Sequence, residues 1–195
     1  AGWPVDLDSL SATSSAKRVR PREVVLLAAL WLGSAAMVYL FARGVIYPQR
    51  YIDEFLYWNL AGNLSHGRGL SWNGEAIQLR SWLYPLVIAP VFRVAGSVDS
   101  QYQAIQFLNS GLISLVVFPA WWMARRFVGP GLAFFAAVFA VSVPAMNYAG
   151  IIGTESLAYP TCTAAFAAML LALARPVWRT AVTELVVIAL VAITR

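Results

Sequence analysis

The chain has 195 residues, of which 60% are hydrophobic and only 12% charged, and its formal net charge is +5. A soluble domain carries about 25% charged residues and seldom more than about 50% apolar ones. That balance, with Cys162 as the single cysteine, excludes disorder, a disulfide scaffold and an ordinary water-soluble enzyme, and it points to a bilayer.

In chain order, residues 1–22 open with a small, polar stretch (AGWPVDLDSLSATSSA), which predicts a disordered tail. No formal charge falls between Glu23 and Arg43, so a first spanning helix is expected within 23–46. This stretch is long for a signal-peptide core, and no small-x-small cleavage site follows it. Charge-free gaps at 100–124, 127–154 and 156–174 predict three further spans, and 180–194, with Glu184 near its start, a fifth. Lys17, Arg18, Arg20 and Arg22 precede the first span, which places the N-terminus in the cytoplasm. Arg125 and Arg126 follow the second span and Arg175 and Arg179 the fourth, on the same predicted side. Trp121, Trp122 and Trp178 sit beside these clusters as interfacial anchors do.

The expected fold class is therefore all-α: a polytopic transmembrane helical bundle of about five spans, 100–195 carrying spans 2–5. Arginine at membrane edges accounts for the net charge, so no nucleic-acid partner is implied. The chain starts at Ala1 and stops where a fifth span would leave the membrane, and it reads as the N-terminal part of a longer protein. Lys17 is the only lysine among 14 basic residues, a usage that fits a high-GC bacterial source.

The outer loop, 47–99, is long enough to carry function. Within it, 51–66 has a helical pattern, with Ile52, Phe55, Leu56, Leu60 and Leu64 on one stripe and Asp53, Asn59 and Asn63 off it. This predicts an amphipathic interfacial helix with Tyr57 and Trp58 at the membrane surface. Gly67 and Gly69 end it, and Trp72-Asn73-Gly74-Glu75 reads as a polar turn. Residues 81–92 are apolar but short, with Pro85 and Pro90 as breaks, and suggest a second interfacial or re-entrant piece.

Asp53 and Glu54 can be read as first-turn carboxylates that favour a helix dipole, and Thr154-Glu155 as the cap and first turn of span 4. Arg80 can be read as snorkelling to lipid phosphate and His66 as a solvated polar group after a helix. Yet the topology gathers Asp53, Glu54 and Glu155 on one outer rim, with His66 and Arg80 in the same loop. That collection suggests a polar site at the lipid boundary. No P-loop, dinucleotide fingerprint, HExxH or zinc-type spacing occurs.

The combination resembles the GT-C superfamily of membrane glycosyltransferases, nearest to its protein-mannosyltransferase-like and aminoarabinose-transferase-like branches. The residues that carry it are Tyr51-Ile52-Asp53-Glu54-Phe55-Leu56-Tyr57, the turn His66-Gly67-Arg68-Gly69-Leu70, and Arg80-Ser81-Trp82-Leu83-Tyr84-Pro85-Leu86, which is similar to the family's PLYP stretch. Thr154-Glu155-Ser156-Leu157 completes the match over roughly 23–195. The resemblance implies inverting transfer of a sugar from a polyprenyl-phosphate donor to a hydroxyl of a glycan, lipid or protein acceptor. It implies Asp53 as the catalytic base, and Glu54, His66, Arg68, Arg80, Tyr84 and Glu155 as substrate contacts. It leaves a divalent metal ion open, since relatives differ on this. Such enzymes have roughly twice as many spans, so this segment alone is not expected to be active. The rival readings are a non-catalytic transporter, flippase or assembly subunit, and a substrate-binding sensor.

Overall fold

The computed structural model describes residues 19–45, 52–77, 81–174 and 176–194, so the N-terminal tail and Arg80 lie outside the described residues. The chain is mostly helical, and three helical stretches are long and apolar enough to cross a membrane: Pro21–Ala42, Val98–Phe127 and Glu155–Ala174. The first, α1 (Pro21–Ala42), starts with Pro21 at its first helical position, where a missing N–H costs nothing. Glu23 Oε2 accepts from the Arg20 N–H at 3.0 Å, which satisfies a donor at the helix entry.

Helix α2 (Ile52–Ser65) ends as the glycines predict. Gly67 has φ of +74°; its N–H donates to Leu64 O, and the Arg68 N–H to Asn63 O at 2.9 Å. This is a Schellman closure, which needs a left-handed residue just beyond the helix. The polar turn after it is a β-hairpin, β1 (Ser71–Trp72) with β2 (Glu75–Ala76), so the all-α expectation gains two short strands. Asn73 and Gly74 both have positive φ, 51° and 87°, as a two-residue type I′ turn requires.

Two short helices follow, α3 (Leu83–Ile88) and α4 (Val91–Val94). Pro85 lies inside α3, and the interruption falls instead at Ala89-Pro90. This segment is not laid on the surface: Tyr84, Pro85, Ile88 and Ala89 are buried beneath α2. The buried face of α2 also differs from the predicted stripe. Glu54, Tyr57, Leu60 and Ala61 face inward while Phe55 is 54% exposed.

Helices α5 (Val98–Ser114) and α6 (Val117–Phe127) form the predicted second span with one interruption. Pro119 cannot donate to Leu115 O, and that carbonyl receives the Phe118 N–H instead, tightening the turn to i→i−3 geometry. Leu115 N–H likewise moves to Leu112 O, which frees the Gly111 carbonyl for Trp31 Nε1 at 2.9 Å. A side chain of α1 thus repairs the break in α5–α6.

The third predicted span is not one helix. Residues 130–140 form α7 (Pro130–Ala140), 11 residues long and about 16 Å at 1.5 Å per residue. A 3₁₀ turn over Pro144–Gly150 follows, because Pro144 permits no continued α-helical bonding at its nitrogen. The segment nevertheless runs the length of the bundle. Ala133 and Ala137 pack with Leu27, Val117 and Trp121. Met146 and Ala149 pack with Val38, Ala42 and Ile113, and Ile152 joins Tyr57, Tyr84 and Ile105. Helix α8 (Glu155–Ala174) continues through Pro160, with the Thr161 hydroxyl donating to Leu157 O at 2.8 Å. Helix α9 (Trp178–Thr194), 17 residues, packs on α8 and is not among the three long apolar helices.

Those three clusters stack along α5–α6, whose most apolar stretch is 50% buried against 17% for α1 and 22% for α8. The central helix is therefore the one that can carry polar groups inward. At one end of the stack Arg125 Nη2 meets Glu23 Oε1 at 3.4 Å, with Arg125 and Arg126 over the Trp121 and Trp122 rings at 5.5 and 4.2 Å. At the other end Gln106 Nε2 donates to the carbonyls of Ala42 and Val45, both at 3.0 Å, and of Gly150 at 3.3 Å. Gln106 is 1% exposed, so replacing it with Leu takes the amide from Val45 O and leaves Ala42 O and Gly150 O with one donor each, from Val45 N–H and the Tyr102 hydroxyl, in an apolar setting. Gln106→Leu is expected to destabilise the protein by about 2–3 kcal/mol. Phe135→Leu on the exposed face of α7 should change stability by less than about 0.5 kcal/mol. Thermal unfolding in detergent compares the two.

Candidate functional site

Glu54 and Tyr57 of α2, Tyr84 of α3 and the 150–155 turn meet at the end of the bundle opposite the Glu23–Arg125 pair. A stripe on α5 builds the floor. Tyr102, Gln106, Asn109 and Ser110 are buried and recur at three- and four-residue spacing, so they share one face. Asn109 Nδ2 donates to Ile151 O at 3.0 Å, and Asn109 Oδ1 accepts from the Tyr84 hydroxyl at 3.1 Å. The Tyr102 hydroxyl lies 3.0 Å from Gly150 O and 3.4 Å from Glu54 Oε1. These residues fall in a stretch that the charge map treated as a uniform apolar gap. Their signal was present as amides and hydroxyls at helical spacing inside a candidate span, where polar side chains need a partner.

The Asp53-Glu54 pair is split by helix geometry. Successive residues on a helix point about 100° apart, so one carboxylate turns out and the other in. Asp53 is exposed. Glu54 is 1% exposed, and its Oε1 accepts the Ile152 N–H at 3.1 Å. One turn after Asp53, Tyr57 is buried, stacked edge-on against Tyr84 with ring centroids 5.5 Å apart. Its hydroxyl is hydrogen-bonded to the Ser81 and Thr154 side chains.

Burial pushes the Tyr57 hydroxyl above its ordinary pKa, and the charges of Asp53 and Glu155 add to the rise against the hydrogen bonds. Burial does the same, more strongly, to Tyr84, with smaller contributions from Glu155 and Glu54. Both phenols are neutral at physiological pH. Glu155 acts on both tyrosines, Asp53 on Tyr57 and Glu54 on Tyr84, so the three carboxylates lie at the same end of the bundle as the tyrosine pair. The Glu155 carboxylate folds back over Gly153: a Cβ on that glycine would run into Glu155 Oε2, so a side chain there would displace the carboxylate. A small apolar cleft of about 110 Å³ opens beside Glu54, lined by Phe55, Trp58, Val98 and Ile152.

Other residues named from the sequence fall elsewhere. His66 is exposed beyond the far end of α2, about 20 Å from Asp53 at 1.5 Å per residue, and its Nδ1 lies 2.7 Å from Gly62 O. Arg68, also exposed, donates through Nε to Asn63 Oδ1 at 2.9 Å. Neither joins the carboxylates, because the helix length separates them. Tyr84 is fully buried and spends its hydroxyl on Asn109, so it supports the site from beneath rather than lining it. Arg80 lies outside the described residues. Among the described residues no three His, Cys, Asp or Glu side chains are grouped to hold a metal ion.

The tyrosine pair has a consequence for alkaline stability. The unfolded phenols titrate near 10.0, while the folded ones hold their protons to higher pH. Stability from the pair is therefore fully present below pH 10.0 and is lost as the unfolded chain ionises above it and pH rises towards the folded values. The protein carrying Tyr57→Phe and Tyr84→Phe should show a shallower fall in melting temperature between about pH 9 and 11 than the parent, followed by thermal scans in detergent. An equal slope would contradict the burial of both hydroxyls.

Compared with known proteins, the chain matches no family model, no curated protein and no solved structure.

Proposed function

We propose that this chain is the N-terminal part of an inverting membrane glycosyltransferase that moves a sugar from a polyprenyl-phosphate donor to an acceptor hydroxyl. The observation that carries the reading is the split acidic pair. Asp53 stands exposed on the first turn of α2, beside Glu155 and two neutral tyrosines, at one end of an apolar helical bundle. A carboxylate in that position can meet a hydroxyl arriving from water and an anomeric carbon presented at the lipid surface.

In the proposed reaction the acceptor oxygen attacks the anomeric carbon from the face opposite the leaving group. The new carbon–oxygen bond forms as the bond to the phosphate oxygen breaks, and polyprenyl phosphate leaves with the electron pair. Asp53 accepts the hydroxyl proton. The ring passes through an oxocarbenium-like state, and Asp53 and Glu155 favour its positive charge. Arg80, implied by the resemblance, is the candidate for the charge that develops on the phosphate.

The membrane arrangement is proposed on the same terms: five passes in a bacterial plasma membrane, with the N-terminus cytoplasmic and the site outward. α1, α5–α6, the interrupted 130–150 segment, α8 and α9 provide the passes. An interrupted helix is tolerated at membrane depth where protein covers its backbone, and the packing of Met146 and Ala149 against α1 and α5 supplies that cover. The Glu23–Arg125 pair puts the start of α1 beside the end of α6, in keeping with both lying at one membrane face.

In the full-length protein in lipid nanodiscs, Asp53→Asn should lower transfer from a polyprenyl-phosphate sugar by about 10²–10⁴-fold with expression and donor binding retained. Undiminished transfer would remove Asp53 as the base. Flux of the lipid-linked sugar without a new glycosidic bond would favour the transporter reading.

A further inference from the structure

The geometry points to Glu54 as a positioning residue that fixes the Gly150–Glu155 turn, while chemistry belongs to Asp53; this rests on the reading of Asp53 as the base. Four side chains converge on three consecutive residues of the turn. Tyr102 and Gln106 donate to Gly150 O, Asn109 donates to Ile151 O, and Glu54 Oε1 accepts from Ile152 N–H. Three of the four come from α5, which is the central helix of the bundle. Glu54 alone comes from α2, the helix that carries Asp53.

That single bond therefore does something the other three cannot. Together with the Tyr57–Thr154 contact, it ties the helix that bears Asp53 to the turn that leads into Glu155. Ile152 is 1% exposed and Glu54 equally so, and the bond is 3.1 Å long. A hydrogen bond in such a setting is far less screened than at a surface, and losing it leaves a buried N–H without its acceptor. Beyond Ile152 only Gly153 and Thr154 precede Glu155, and the Glu155 carboxylate folds back over Gly153. A shift of the turn is thus passed directly to Glu155, and through Thr154 to Tyr57. Misplacing a reacting group by about 1 Å can cost about 10²-fold in rate.

The test separates position from charge. Glu54→Gln keeps the length and the accepting oxygen. In the full-length protein it should retain kcat within about 3-fold, an unchanged pH–rate profile, and slow hydrogen exchange at the Ile152 amide. Glu54→Ala should lose that protection and lower kcat by about 10–100-fold, with the KM for donor little changed. If the alanine variant does not fold, Tyr102→Phe decides with the glutamine variant. It removes a donor to Glu54 and to Gly150 O, and should lower kcat by a smaller factor without moving the pH profile.

Loss of transfer in Glu54→Gln with Ile152 still protected would overturn the proposal, since it would show that the charge itself is needed. So would unchanged Ile152 exchange in Glu54→Ala, or an unchanged kcat in Tyr102→Phe. Hydrogen exchange reads the Glu54–Ile152 bond without reference to activity. A failed Asp53→Asn result therefore sinks the base while leaving the anchoring role of Glu54 to be judged by itself.

Discussion

A backbone that leaves regular helix inside an apolar bundle has to find hydrogen-bond partners within the protein, because no water is there to supply them. The chain breaks its helices at Ala42–Val45, at Ser114–Val117 and from Val141 to Thr154, and each break is answered by a side chain from a neighbouring element. Gln106 serves Ala42, Val45 and Gly150. Trp31 serves Gly111. Asn109 and Glu54 serve Ile151 and Ile152. The arrangement of the carboxylates depends on these repairs, since the irregular turn they hold is what leads into Glu155.

The same requirement explains why α5 lies at the centre of the bundle. A helix with amides and hydroxyls on one face is poorly placed against lipid and well placed against irregular backbone. α1 and α8 are more exposed along their most apolar stretches. At the opposite end of the stack, arginine over tryptophan rings and a single carboxylate completes the α1–α6 contact. The two ends are thus chemically distinct: one is basic and aromatic, the other carries buried amides, two neutral tyrosines and three carboxylates.

Much of this was legible in the sequence. The gaps between charges located α1, α5–α6 and α8 to within a few residues, because hydrocarbon excludes charge over a length that helix rise translates into about 20 residues. The end of α2 was legible in Gly67. The 127–154 gap misled, because charge absence does not distinguish a continuous helix from a broken one packed among others; Pro144 and the polar Ser142 and Asn147 were the local signs. The hairpin was legible in Asn73-Gly74, a pair whose backbone tolerance suits that turn. Among the residues named from the sequence, Asp53, Glu54 and Glu155 fall at one end of the bundle, whereas the length of α2 separates His66 from Asp53.

Charge scarcity in a chain that is 12% charged located the three long apolar helices from sequence alone, and Gly67 marked the end of α2. Those are consequences of solvation and of local backbone preference, which each residue carries with it. Only the tertiary structure decided that Phe55 faces out and Tyr57 in, that Asp53 is exposed while its neighbour Glu54 is buried, and that α5 supplies the donors for the 150–152 turn. A helical period says which residues share a face but not which neighbour that face will meet, and the partner of a polar group is set by packing between segments far apart in the chain.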